Sequence, residues 1–183
     1  MPRPTPAPGW PPPWPSPAGP DSCAAFGLTT GPRRGRTHAD VIEVLSAVGS
    51  TPGAQLDVVV LPKVSDVSHV QALDLLLAQL ETVHGLPAGG IGIDAQIEDA
   101  RGLTNIEAIA AAPRVQALVL GPADLTASLN MRTRVVGEQP EGYDVGDAYH
   151  HVLMTILIAA RAHGIAAMTG RTSRCAMSRR SGG

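Results

Sequence analysis

GGIGIDAQIEDARGLTNIEAIAAAPRVQALVLG, residues 89–121, sets two apolar runs on either side of a helical pattern, and its reading decides the fold. The glycines at 89 and 90 precede a run ending at Ile97 that predicts a buried strand. Thr104 followed by Glu107 predicts a capping box, and Ile106, Ile109 and Ala110 recur at helical spacing. That helix is expected to end at Ala112, because the residue before Pro113 is pushed out of the α region. VQALVLG, residues 115–121, predicts the next strand. A strand, a helix and a strand with connections this short require parallel strands joined by a right-handed crossover.

Working outward, LDVVVL at 56–61 predicts a strand buried on both faces and stopped by Pro62. A helix is expected after it, capped by Ser65, with Val67, Val70, Leu73, Leu77 and Leu80 on one face until Gly85. Upstream, Thr37 and Asp40 open an amphipathic helix through Val41, Val44, Leu45 and Val48. Downstream, ADLTASLNM at 123–131 predicts a short helical stretch. Asp147 then opens a longer helix with Val152, Leu153, Ile156, Leu157 and Ala160 on one face, closed by Gly164. IAAM at 165–168 is the last strand candidate. The core is therefore α/β, with about four parallel strands. Periodicity alone leaves open whether they belong to a barrel or to a doubly wound sheet.

Composition limits the partners. The chain has 183 residues, 44% of them hydrophobic, which suffices for a real core, and a net charge of -2 with 16% charged residues raises no field of either sign. Nucleic acid and membrane are accordingly not expected as partners. No run reaches the ~18 apolar residues of a spanning helix, nor does the N-terminus carry a signal-peptide core, so a cytoplasmic location is expected. Ten of the 17 prolines fall in residues 1–20, and no acidic residue follows Asp147. Residues 1–36 are therefore expected to be a disordered Pro/Arg-rich segment, 37–170 the folded domain and 171–183 a disordered basic tail. Trp10 and Trp14 in the proline-rich segment suit an aromatic groove, but chance sequence from misread GC-rich DNA is the preferred account. Cys23 and Cys175 have no partner at metal or redox spacing and receive no role.

Two acids stand where α/β enzymes build their sites: Glu98 follows the strand ending at Ile97, and Asp124 lies three residues beyond the strand ending at Gly121. Carboxyl ends of parallel strands share one rim, and two carboxylates meeting there repel unless a cation lies between them. Magnesium suits one or two carboxylates with waters and substrate oxygens, and the lack of a well-placed His or Cys argues against zinc. The competing reading makes both residues solvated loop acids or helix N-terminal caps. Lys63, the only lysine, follows a strand at the same rim and is a candidate for substrate or CoA-phosphate contact. His150 and His151 are adjacent at a helix start, point to different faces, and are read as packing or rim residues rather than ligands. Arg101 is expected either to pair with Asp99 or Glu98 or to form a surface ion pair.

LPKV at 61–64, QIEDARGLTNIEAIAAAPRVQAL at 96–118 and GPADLTASLNM at 121–131 resemble, in order and spacing, the signature blocks of the citrate lyase β-subunit-like, or HpcH/HpaI aldolase, family. Residues 132–165 most resemble its malyl-CoA and β-methylmalyl-CoA lyase branch, and the resemblance covers about residues 37–168. It implies a TIM (β/α)8 barrel, here incomplete, and Mg²⁺-dependent cleavage or formation of a 3-hydroxyacyl-CoA such as malyl-CoA. It also implies that Glu98 and Asp124 hold Mg²⁺ and that the partners are a CoA thioester and a glyoxylate-like 2-oxo acid, in a homo-oligomer. The backbone N–H groups of Ala123 and Asp124, opening a helical stretch, would receive the substrate carboxylate.

The sequence also departs from the family. Its R-[VI]-N block, source of the arginine that stabilises the enolate, is absent from residues 1–36, where Arg34 and Arg36 stand in the wrong context. Met168, Thr169 and Gly170 replace the usual I-D-G, and the segment carrying the family's base does not follow. A frame shift at about residues 36 and 169 is the expected explanation. An inactive fragment that binds metal, 2-oxo acid or partner subunits without turnover is the alternative to a working lyase.

Overall fold

The apolar runs expected as strands at 56–61, 89–97, 115–121 and 165–168 each supply one, and the strands lie side by side in the order in which the chain makes them. The structure, a computed structural model, describes residues 24–28, 36–132, 141, 142, 144, 146 and 148–169. The elements are β1 (Ala25–Gly27), α1 (Thr37–Ser50), β2 (Val58–Leu61), α2 (Val67–His84), β3 (Gly92–Ile97), α3 (Ala100–Thr104), α4 (Ile106–Ala110), β4 (Val115–Leu120), α5 (Pro122–Ser128), α6 (His150–Ala162) and β5 (Ala166–Thr169). All neighbouring strands pair in parallel, in the order β1-β2-β3-β4-β5. A doubly wound sheet needs a point at which the strand order reverses, and this sheet has none. Crossovers of one hand then put every helix on the same face, as in the wall of a (β/α)8 barrel. The helices follow the same sequence, α1 against α2, α2 against α4 and α4 against α6.

Between the two layers lies the core. Val59 and Leu61 from β2, Ile93, Ala95 and Ile97 from β3, and Leu118 and Leu120 from β4 meet Val41, Leu45, Leu73, Leu77, Ile109 and Ile156 from the helices. Strand alternation leaves Val58, Val60, Asp94, Gln96, Ala117 and Val119 on the opposite, inner face. The β3–β4 register slips between Ile93 and Asp94, where Val115 and Ala117 face consecutive residues of β3. Gln116 is thus the extra residue of a bulge. Gly92 leaves the room its side chain takes, since a Cβ there would lie 2.8 Å from both the oxygen and the nitrogen of the Gln116 amide.

Several expectations change in detail. Among the described residues there are five strands rather than about four, because Ala25–Gly27, inside the segment read as disordered, pairs with Val58–Val60 as β1. Proline content had hidden a three-residue strand whose stability comes from its neighbour. The rest of that segment, residues 1–23 and 29–35, lies outside the described residues with Trp10, Trp14, Cys23 and Arg34, as do Asp147 and the tail from 170 with Cys175. Asp66, not Ser65, caps α2, accepting from Ser68 N at 3.0 Å. Ser65 instead donates to Asp99 Oδ2 at 2.5 Å. No capping box forms at Thr104 and Glu107: Thr104 ends α3, its hydroxyl donates to the Arg101 carbonyl, and Asn105 begins α4 without a side-chain cap. A bend between two short helices replaces the single helix.

Asp94 is the one acid of the inner sheet face remote from the rim. It is 5% exposed, and its Oδ1 has no hydrogen-bond partner among the described residues. Burial pushes its carboxyl up from 3.8 to about 6, although a hydrogen bond from Gln116 holds it back in part. Because the folded-state value is the raised one, Asp94 costs the fold nothing below the unfolded value of 3.8. The cost grows as pH rises to about 6 and then stays constant. Asp94→Asn should therefore raise stability at pH 7 by up to about 3 kcal/mol and leave it unchanged near pH 4. Urea denaturation at the two pH values measures this, and equal effects at both would refute it.

At the amino ends of the strands, Arg114 just before β4 ties three elements together. Its guanidinium meets both oxygens of Glu81 at 2.7 and 2.9 Å, the Ile91 carbonyl at 3.1 Å, and Asp74. Glu81, 1% exposed, also accepts from Gly89 N at 2.7 Å and Ile91 N at 3.1 Å. Arg114 takes a left-handed backbone, φ 62°, uncommon outside glycine.

Candidate active site

At the carboxyl ends of β2, β3 and β4 the chain turns three times, and each turn delivers one charged side chain to the same rim. After β2, Pro62 stops the ladder and Lys63 takes a left-handed conformation, φ 57°. After β3 comes Glu98. After β4, Gly121 and Pro122 open the seven-residue α5, with Asp124 in its first turn.

Lys63 touches both acids. Its backbone N–H donates to Glu98 Oε2 at 3.1 Å, and its ammonium meets Asp124 Oδ2 at 2.7 Å. The positive φ is a strained choice for a residue with a Cβ, and such strain gathers at functional sites. Glu98 is 6% exposed, whereas the Lys63 and Asp124 side chains are about half exposed. The second oxygen of Glu98 accepts from Gln96 Nε2 at 2.5 Å. Burial raises the Glu98 carboxyl above its ordinary range and the Asp124 charge raises it further, while Lys63 and Gln96 pull it back. The set offers two carboxylates and one ammonium, and its candidate metal donors are all oxygens. Among the described residues no group of three or more His, Cys, Asp or Glu could hold a metal. Two carboxylates with open positions for water and substrate oxygens fit magnesium, and the set lacks the nitrogen and sulfur ligands that zinc prefers.

The neighbouring residues of both blocks are structural. Asp99 caps α3, accepting from Gly102 N at 2.6 Å. Arg101 pairs at 3.3 Å with Asp66, not with Asp99 or Glu98, and is the surface ion pair of the two readings. A Cβ on Gly102 would strike the Val64 carbonyl, so glycine there lets α3 close on the β2–α2 turn. Ala123 and Asp124 are exposed on the first turn of α5, where N–H groups have no intrahelical acceptor. His150 and His151 are exposed at the start of α6, away from these contacts. Arg36 is exposed immediately before α1. Sequence reading missed Gln96 and Gly121. The first is signalled only by its place two residues before Glu98 on one strand face, the second by its place before the Asp124 turn.

α5 is anchored from two sides. Ser128 Oγ accepts from Ala100 N at 3.1 Å, and the Thr126 hydroxyl lies 2.7 Å from the buried Tyr149 hydroxyl at the head of α6. Tyr149→Phe removes one buried hydrogen bond and is expected to destabilise the fold by about 1 kcal/mol. Chemical denaturation measures it, and no loss would mean that the bond contributes nothing to holding α5.

A family model described as HpcH/HpaI aldolase/citrate lyase matches residues 38–179. The L-malyl-CoA/beta-methylmalyl-CoA lyase of Cereibacter sphaeroides is 34% identical over 142 residues, covering 73% of this chain and 43% of that protein. The chain thus spans less than half the length of that curated relative. Among solved structures, a citrate lyase from Burkholderia xenovorans LB400 superposes with a TM-score of 0.63 at 18% identity, over 84% of this chain and 46% of that one, a likeness of fold. Protein CitE from Mycobacterium tuberculosis, in complex with magnesium and acetate, is 25% identical with a TM-score of 0.54, over 79% and 49%.

Proposed function

The chain belongs to the HpcH/HpaI aldolase/citrate lyase family, and from that premise we propose that its rim is built for Mg²⁺-dependent carbon-carbon bond cleavage or formation in a 3-hydroxyacyl-CoA. Malyl-CoA, made from or giving acetyl-CoA and glyoxylate, is the substrate pair we favour, because the similar protein of Cereibacter sphaeroides is a malyl-CoA lyase. One observation carries the reading: Lys63 reaches a buried glutamate through its backbone and an exposed aspartate through its side chain, so one residue borders two acids from neighbouring strand ends.

Glu98 and Asp124 would hold the ion. When bound, it would supply Lewis acidity to the keto oxygen of the 2-oxo acid. The remaining work falls to the chain's own groups. The N–H groups of Ala123 and Asp124 would receive the substrate carboxylate at the head of α5. The Lys63 ammonium, half exposed beside Asp124, would contact an anionic group of the incoming substrate. Gln96 and the Lys63 N–H hold the two oxygens of Glu98 and offset part of the effect of its burial. Among the described residues no helix is long and apolar enough to cross a membrane. From the family resemblance we propose a cytoplasmic homo-oligomer.

The test is malyl-CoA cleavage by the full chain with MgCl2, against Glu98→Ala and Asp124→Ala. Mg²⁺-dependent turnover lost in both variants is the expected result. Mg²⁺-dependent glyoxylate binding without turnover would favour the reading of an inactive binder. Neither turnover nor binding would end both readings.

A further inference from the structure

We propose that Gln96 determines which divalent ion the rim prefers, by fixing Glu98 as a ligand that gives the ion one oxygen. The inference rests on the magnesium reading above. Gln96 lies on the inner face of β3, and Glu98 follows two residues later, directly after the strand ends at Ile97. The Gln96 amide nitrogen holds Glu98 Oε1 at 2.5 Å, and the Lys63 N–H holds Oε2 at 3.1 Å. The backbone at Gly121 lies against the glutamate's Cγ and Cδ. With a donor on each oxygen and a wall beside the stem, the carboxylate plane cannot rotate to follow an ion.

This restraint separates two ions of equal charge. Mg²⁺ demands near-octahedral geometry at ~2.0–2.1 Å and is content with single oxygens from carboxylates, whereas Ca²⁺ takes 6–8 oxygens at ~2.3–2.6 Å and often grips a carboxylate by both. A clamped Glu98 suits the first and handicaps the second. The residue type is apt as well. An amide donates without adding a positive charge that would compete with the ion, and a carboxylate at 96 would repel Glu98. Gln96 acts through Glu98 and is a positioning residue.

The experiment is calorimetric titration of the full chain with MgCl2 and with CaCl2, for the unchanged protein, Gln96→Met and Gln96→Asn. Methionine keeps the length and loses the donor; asparagine keeps the amide but withdraws it by one methylene. The unchanged protein is expected to bind Mg²⁺ more tightly than Ca²⁺. In either variant Mg²⁺ affinity should fall about tenfold while Ca²⁺ affinity holds or rises, so that the ratio collapses. An equal loss for both ions, or an unchanged ratio, would overturn the inference and leave the magnesium reading standing. If the unchanged protein binds neither ion, the magnesium reading falls and the inference with it. Apo melting temperatures of the variants separate loss of selectivity from loss of fold.

Discussion

Gly121→Ala is expected to weaken Mg²⁺ binding by at least about a hundredfold, the upper end of the range for losing a group that orients a ligand, while the chain still folds. The backbone at this position, φ -100° and ψ 88°, is open to any L-residue, so the substitution carries no conformational penalty of its own. The obstacle is Glu98. A Cβ at 121 would lie 2.7 Å from Glu98 Cδ and closer still to Cγ and Oε1, inside any real carbon contact. The strand backbone is held by Gly121 N donating to Ile97 O at 3.0 Å, so the glutamate side chain is what must move. Moving it breaks the bonds from Lys63 N and Gln96 Nε2 that hold its two oxygens. Calorimetric titration measures the affinity, and circular dichroism reports the fold. Unchanged metal binding in a folded Gly121→Ala protein would show that Glu98 is not the ligand.

Arg114→Ala is expected to cost the fold about 3–5 kcal/mol, the usual consequence of removing one partner from a buried ion pair. Glu81, 1% exposed, would be left with only the Gly89 and Ile91 N–H groups beside it. Asp74 and the Ile91 carbonyl would lose their donors at the same time. The network joins α2, the turn before β3 and the turn before β4 at the end of the sheet opposite Glu98, so metal affinity of the fraction still folded should be unaffected. Urea denaturation gives the energy. A loss below about 1 kcal/mol would place this pair with exposed salt bridges, whose median effect is that small. Arg114→Lys should recover only part of the loss, because an ammonium cannot bond both Glu81 oxygens in the planar fork that a guanidinium provides.

Both predictions concern residues that no local pattern marks. The acids at 98 and 124 were legible because each follows an apolar run, and a parallel sheet places the residues after its strands on one rim. Gln96 lay unremarked inside the predicted strand ending at Ile97, and Gly121 read as the end of the next one. Their importance comes from a side chain that leaves β3 and lies against the first residue after β4, a contact between positions 23 residues apart. Ser65 was misread as a cap for a similar reason: the local spacing fits, but Asp99 from the next turn offers its hydroxyl a stronger acceptor.

The sequence by itself determined that this chain makes a parallel α/β layer, since apolar period and short connections depend only on each residue's near neighbours. It also placed Lys63, Glu98 and Asp124 at the carboxyl ends of the strands. Only the tertiary structure decided that strand order never reverses, that Ala25–Gly27 joins the sheet, and that Lys63 turns through a left-handed backbone to meet two acids at once. Each of these depends on which segments become neighbours in space. Hydrogen-bond geometry and steric exclusion act between such neighbours, and the period of a single segment carries no record of them.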